Sequence, residues 1–306
     1  MTQQRMTWQR KLPLPAGYRL RDVLAFHRRD AESTAEQVGA DMLRKGVMLE
    51  GVPVVLAVDF APTEATCTAD IDGSATPALE RRIDEAFSSI LGLRIDPGPF
   101  CAFAADDPLF GPIVRRQPGL RIVQSATVFE ALTWAIIGQQ INLPFAIALR
   151  RTFIQLAGRR HSCGLWCYPE APDAADLAVD DLTSRKFSRA KAETLLRFAH
   201  LVASGELDLE PGADNPVETI GQRLLDIKGI GPWTVNYGLL RGYGHADCSL
   251  HGDVAIRAAL QRLLGEEQRP DIVRTEQILQ QYQPHRTMAA AHLWASLAPP
   301  DDNDTA

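Results

Sequence analysis

The sequence predicts an α+β fold, with a small mixed α/β unit followed by an all-helical body. Three observations lead there. A Val-rich run bounded by Gly and Pro lies near the N-terminus, at Gly51-Val52-Pro53-Val54-Val55-Leu56-Ala57-Val58-Asp59-Phe60. The run Asp96-Pro97-Gly98-Pro99 then breaks the chain. Beyond it, apolar residues recur at a helical spacing near 3.6.

Before the break, residues 18–30 pattern as a helix, with Leu20, Val23, Leu24 and Phe26 available to one face. Residues 51–60 and 65–71 read as strands, and 77–91 as a second helix. After it, helices are predicted over 127–138, with Thr127 as N-cap, and over 144–156. Further helical stretches cover 180–182, 188–204, 216–227, 234–240, 254–264 and 287–297, with a loop over 211–216. The polar, proline-led residues 299–306 are expected to fray.

Composition narrows the classes. The chain has 306 residues, 45% hydrophobic and 23% charged, which suits one large or two to three modest globular domains. A net charge of -6 counts against a uniformly basic nucleic-acid binder. Arg-rich stretches at 115–121, 150–160 and 185–197, set apart from acidic ones at 173–181 and 301–304, still allow a basic groove on an acidic body. Five scattered Cys suit free thiols in a reducing cytosol. The opening Met1-Thr2-Gln3-Gln4-Arg5 has no apolar run after it, so no signal peptide is expected, and no stretch reaches the about 20 apolar residues of a membrane span. His161, Cys163 and Cys167 lack a fourth ligand for zinc, and nothing beyond Cys248 supplies a four-Cys iron–sulfur loop.

The most specific run is Leu225-Asp226-Ile227-Lys228-Gly229-Ile230-Gly231-Pro232-Trp233-Thr234. A helix ends near Ile227. Two glycines one residue apart permit a sharp turn with positive φ. Pro232 suits the first turn of the next helix, where its missing N–H is no loss. Such a turn leaves backbone N–H groups at a helix start, a place for a phosphate that is gripped without regard to base sequence. Ile230 is expected to turn inward and tie the two helices together. About twenty residues on, Asp253 precedes an apolar helical run, where the plain expectation is an N-cap. Trp233, Tyr237 and Trp294 lie in helical stretches, where such side chains are usually core.

The hairpin run resembles the helix-hairpin-helix of base-excision DNA glycosylases, most closely the bacterial 3-methyladenine DNA glycosylase II family. The likeness extends over nearly the whole chain. It takes in Gln117-Pro118-Gly119-Leu120-Arg121, Ala135-Ile136-Ile137-Gly138-Gln139-Gln140, Ser188-Arg189-Ala190-Lys191-Ala192, Trp233-Thr234-Val235-Asn236-Tyr237, Arg241-Gly242 and His292-Leu293-Trp294. The implied fold is a small N-terminal antiparallel sheet with helices, then a two-lobed all-helical body containing the helix-hairpin-helix. The implied domains are 1–104 (mixed α/β), 127–245 (helical, with the hairpin), and 105–126 with 246–306 (a second lobe carrying Asp253).

The implied activity is that of a monofunctional hydrolase that flips an alkylated purine, of the 3-methyladenine or 7-methylguanine type, out of double-stranded DNA and cleaves its N-glycosidic bond. Asp253 is then the catalytic carboxylate, stabilising positive charge on the sugar and orienting water. Trp233, Trp294, Tyr237 and Phe26 line the base pocket, and Lys228, Gly229, Ile230, Gly231 and Thr234 bind DNA phosphate. Bifunctional relatives carry a nucleophilic lysine where this chain has Trp233, which implies no strand-cutting step. Gln140 stands where the type member has a leucine wedge, so the gap left by the flipped base falls to Gln140, or to Ile141 or Leu143. Val254 replaces an aromatic residue beside the catalytic position. No cofactor is required. The carbonyls of Leu225, Ile227 and Gly229 are the expected ligands of a structural Na or K ion. A cytoplasmic monomer is expected, nucleoid-associated when on DNA. The alternatives are a glycosylase for oxidised or deaminated bases and a non-catalytic helix-hairpin-helix DNA-binding protein.

Overall fold

The computed structural model describes residues 6–297; the expected fraying of 299–306 and the reading of the first five residues lie outside them. The chain runs β1 (Met6–Pro13), α1 (Leu20–His27), β2 (Glu36–Val38), β3 (Met42–Leu49), β4 (Val52–Phe60), β5 (Glu64–Ile71), α2 (Pro77–Ile90), α3 (Gly98–Phe103), α4 (Gly111–Arg116), α5 (Val128–Gly138) and α6 (Leu143–Ala157). A two-residue-per-strand hairpin follows, β6 (Arg159–Arg160) and β7 (Trp166–Cys167). The rest is helical: α7 (Ala171–Ala175), α8 (Val179–Thr183), α9 (Arg189–Ala203), α10 (Val217–Leu225), α11 (Pro232–Gly238) with a π-helical turn at Leu239–Tyr243, α12 (Val254–Leu264), α13 (Ile272–Gln280) and α14 (Arg286–Ala295).

The five N-terminal strands form one antiparallel sheet in the order β1-β5-β4-β3-β2. β5 alternates half-buried and buried residues, as a sheet with one covered face requires. α2 covers that face, with Leu79, Ile83, Phe87 and Ile90 packed on Leu56, Val58, Cys67 and Ile71 in one core. The expected strands at 51–60 and 65–71 match β4 and β5. β1, β2 and β3 were not expected. β1 is largely exposed and polar, so alternation does not reveal it. β3 carries Arg44 and Lys45 through an otherwise apolar strand. α1 is shorter than the expected 18–30, running only from Leu20 to His27.

A second core runs from Ile95 to Leu293 through the helical body and takes in Ala35 of the N-terminal unit. α12, α13 and α14 pack on one another. Phe110, at the start of α4, lies with its ring centroid 4.3 Å from Tyr282, and Phe100 of α3 lies 5.5 Å from His292. This brings the segment before α5 against the C-terminal helices. The helices begin where local chemistry starts them. Thr76, Thr127, Asn142, Ser188 and Asp271 each accept a backbone N–H from the first turn of the helix they precede.

Sheet and body are joined by buried charge. The Lys45 ammonium of β3 donates to Glu36 at 2.6 Å and to Glu130 of α5 at 2.7 Å. Arg150 of α6 donates to both oxygens of Glu36 at 3.0 Å and to Glu130 at 2.8 Å. Glu130 also accepts the Ala126 N–H at 3.0 Å. Two positive and two negative groups thus share one enclosed cluster. Close approach is a second joint. A Cβ at Gly46 would lie 2.1 Å from the Trp166 carbonyl, so only glycine lets β7 sit on β3 here.

Candidate active site

The hairpin between α10 and α11 forms as the two-glycine run suggested, with one correction. Gly229 has φ +98, but Gly231 has φ -111 and serves as the N-cap of α11, so only one glycine needs the left-handed region. Open space surrounds the position of a Gly231 Cβ, whereas a Gly229 Cβ would meet the Thr194 hydroxyl at 2.1 Å. Pro232 opens α11. Ile230 is buried with Ile227 in the main core, and its N–H donates to the Ile227 carbonyl at 2.9 Å. Lys228 and Gly229 are exposed. Thr234 is buried, and its hydroxyl accepts from Gln139 at 2.8 Å, so it turns inward.

Gly229→Ala should therefore lose about 1–3 kcal/mol of stability through backbone strain alone. Backbone N–H donors at a helix start would hold phosphate without reading bases, so binding to undamaged duplex should weaken alike whatever its sequence. Gly231→Ala should leave both nearly unchanged. Thermal unfolding and fluorescence-anisotropy titration of the two variants check the contrast.

Asp253 is the N-cap of α12, with Oδ1 accepting the Ala255 N–H at 2.9 Å and the Ile256 N–H at 3.0 Å. Two indoles complete its surroundings. Trp233 Nε1 donates to Oδ2 at 2.9 Å, and Trp294 Nε1 donates to Oδ1 at 3.3 Å. The carboxylate is half-buried at the rim where α11, α12 and α14 meet. The loop ahead of it is fixed at several points. Arg286 donates to both oxygens of Asp247 at 2.7 Å, the Cys248 N–H donates to Thr287, and the Ser249 N–H donates to Asn236 of α11. Asp247, the nearest other carboxylate, is thus held in an ion pair. Its burial favours the neutral acid, but Arg286 outweighs this and keeps the group below its usual range.

Three of the four expected aromatic residues form one cluster. Trp233 stacks on Tyr237 with centroids 5.2 Å apart, and Trp294 meets Tyr237 edge-on at 6.2 Å. Phe26 of α1 reaches the cluster through Arg241, whose guanidinium carbon lies 4.9 Å from the Phe26 ring, 5.3 Å from Trp294 and 5.7 Å from Tyr237. Arg241 is buried and also donates to the Val123 carbonyl. Trp134 donates to the Tyr237 hydroxyl at 3.0 Å and fixes that ring. In the sequence Arg241 stands only as part of the Arg241-Gly242 motif. Its signal was present all the same, because Trp233, Tyr237 and Arg241 are spaced four apart and share a helical face. Trp134 carried no such signal.

Gln140 is exposed and has φ +55, at the start of the loop into α6. Ile141 is half-buried, and Leu143 is 50% exposed. Val254, beside Asp253, is 61% exposed, an apolar side chain left uncovered at the rim. Of the three carbonyls expected to hold a cation, Gly229's accepts from Gln139 and Ile227's from Ile230. Each oxygen keeps a second lone pair. All five cysteines are free thiols, and among the described residues no group of His, Cys, Asp or Glu is arranged to hold a metal. No helix of the described residues is long and apolar enough to cross a membrane.

The family model for HhH-GPD superfamily base excision DNA repair protein matches residues 133–285. The chain is 32% identical over 205 residues to a DNA-3-methyladenine glycosylase of Bacillus subtilis, covering 66% of this chain and 68% of that protein. It is 30% identical over 186 residues to DNA-3-methyladenine glycosylase 2 of Escherichia coli, covering 60% of this chain and 63% of that protein. The fold is shared with a 3-methyladenine DNA glycosylase from Archaeoglobus fulgidus, with a TM-score of 0.76 at 20% identity over 93% of this chain and 97% of that one.

Proposed function

The chain belongs to the HhH-GPD superfamily of base excision DNA repair proteins, and from that premise we propose that it is a DNA glycosylase that hydrolyses the N-glycosidic bond of alkylated purines in double-stranded DNA. One observation carries this reading. A carboxylate held by a helix start and two indole N–H groups stands at the rim of an aromatic cluster, whose Trp233 opens the helix that follows the Gly229 hairpin.

The chemistry follows from that placement. The hairpin holds the duplex backbone through the N–H groups of Gly229 and Gly231, with Lys228 adding charge; the Ile230 N–H is already given to the Ile227 carbonyl. The target nucleotide leaves the stack at a cost of a few kcal/mol, and Gln140 fills the gap. Trp233, Tyr237 and Trp294 receive the base. As the bond to the base breaks, positive charge builds on the sugar, and Asp253 stabilises it and orients the attacking water. A cationic alkylated purine departs without a general acid. The carbonyls of Leu225, Ile227 and Gly229 would hold Na or K, an ion that offsets phosphate charge and takes no part in the chemistry. The protein works as a cytoplasmic monomer with no required cofactor.

Trp233 stands where bifunctional relatives present lysine, and an indole forms no Schiff base. Incubation with methylated duplex DNA should therefore release 3-methyladenine or 7-methylguanine and leave intact abasic strands. Borohydride should trap no enzyme–DNA adduct. A trapped adduct that depends on this protein would overturn the monofunctional reading, and binding without release of any base would overturn the glycosylase reading.

Arg241 favours a second reading. It sets a permanent cation against three of the four pocket rings. Two unit charges about 7 Å apart repel by roughly 2 kcal/mol at an effective dielectric of about 20. A neutral deaminated or oxidised purine, with a carbonyl acceptor, escapes that repulsion. Including such bases in the release assay decides between the two.

A further inference from the structure

The loop that carries Gln140 is fastened from three sides. Lys191 of α9 donates to the carbonyls of Ile136, Ile137 and Gln139, at 3.2, 2.5 and 2.9 Å. Asn142 caps α6 by accepting the Phe145 N–H at 3.0 Å. The Gln139 side chain crosses to the hairpin, where its amide nitrogen donates to the Gly229 carbonyl at 2.9 Å and to the Thr234 hydroxyl at 2.8 Å. Between these anchors Gln140 is exposed with φ +55, a conformation that is costly for a residue with a Cβ. Such strain persists only where the surroundings over-determine it.

We propose that Gln139 is a positioning residue that couples the phosphate-binding hairpin to the gap-filling Gln140. Both hydrogens of one carboxamide are given to the hairpin, one on each side of its turn. The backbone of the same residue leads directly into Gln140. A hairpin displaced by phosphate therefore moves Gln140 with it, and an undocked hairpin leaves Gln140 held back from the stack. Gln139 touches neither base nor sugar and acts only through its neighbour. The inference rests on the reading of Gln140 as the residue that fills the gap.

The test needs no catalysis. Affinity is measured for a duplex containing a tetrahydrofuran abasic analogue and for the same duplex intact, and their ratio reports gap filling. Gln139→Ala should lower that ratio about tenfold, and Gln140→Ala should do the same. The double variant should lose no more than either single one, because both remove the same contact. Gln139→Glu, which keeps the shape but cannot donate to the Gly229 carbonyl, should behave as Gln139→Ala. A ratio unchanged in Gln139→Ala, or losses that add in the double variant, overturns the coupling. Failure of the reading beneath it looks different, since Gln140→Ala alone would then leave the ratio intact. Base release from methylated DNA by the unaltered protein reports on the glycosylase reading separately.

Discussion

Asp253→Asn is expected to lower base release by about a hundredfold to a thousandfold or more, with DNA binding and folding preserved. The loss of one preorganised electrostatic group from a transition state is worth about that much. The substitution is well suited to this site because Asn caps helices as well as Asp. Its side-chain oxygen can keep accepting from the Ala255 and Ile256 N–H groups, so the start of α12 survives. What disappears is the negative charge, with the acceptor that Trp233 finds at Oδ2. Asp253→Ala makes the control. It should lose activity as severely, and also about 1 kcal/mol of stability from the missing cap. Release of methylated purines is followed by chromatography, binding by anisotropy on an abasic duplex, and folding by thermal unfolding. An Asn variant that releases base at the unaltered rate would remove Asp253 from the chemistry and leave it a cap.

The second large effect lies away from the site. Glu130→Gln is expected to cost about 3–5 kcal/mol of folding stability, the usual penalty for removing one partner from a buried ion pair. Lys45 would keep only Glu36, and Arg150 would lose one of its two carboxylates. The combined replacement Lys45→Met with Glu130→Leu should cost less than Glu130→Gln, since it removes opposite charges together. Denaturant unfolding of the three proteins checks the order.

The same cluster gives a pH dependence with a definite sign. Burial pushes the Glu36 carboxyl up, but Arg150 and then Lys45 outweigh it and hold the group well below its ordinary 4.5. Glu130 is lowered too, with Lys45 and Arg150 overcoming its burial. A carboxylate with a depressed folded-state pKa adds stability that is complete above the unfolded value and lost as pH falls through the folded one. Stability should therefore decline in acid below about pH 4.5, and less steeply in Glu130→Gln, which has one such carboxylate fewer.

Legibility in the sequence tracked the distance between interacting residues. Most helices after residue 127 were readable to within a few positions, because apolar spacing and a cap residue lie within one or two turns. α13 was missed, since Ile272 and Val273 face solvent at 49% and 63% exposure and blur its apolar stripe. β1 was missed for a related reason. It is an edge strand whose hold on the fold is pairing with β5 and the stacking of Trp8 on Phe87, 5.7 Å between centroids.

What the sequence determined alone is the local chemistry: the turn at Gly229, the entry of α11 at Pro232, and Asp253 as an N-cap. These depend on backbone φ and on neighbours three or four residues away. Only the tertiary structure decided that Trp294, 41 residues from Asp253, donates to it, that Gln139 spans 90 residues to Gly229, and that the cations of β3 and α6 close on Glu36 and Glu130. Those partners are chosen by packing, and a charged or amide side chain looks the same in a sequence whether it faces water or its partner in the core.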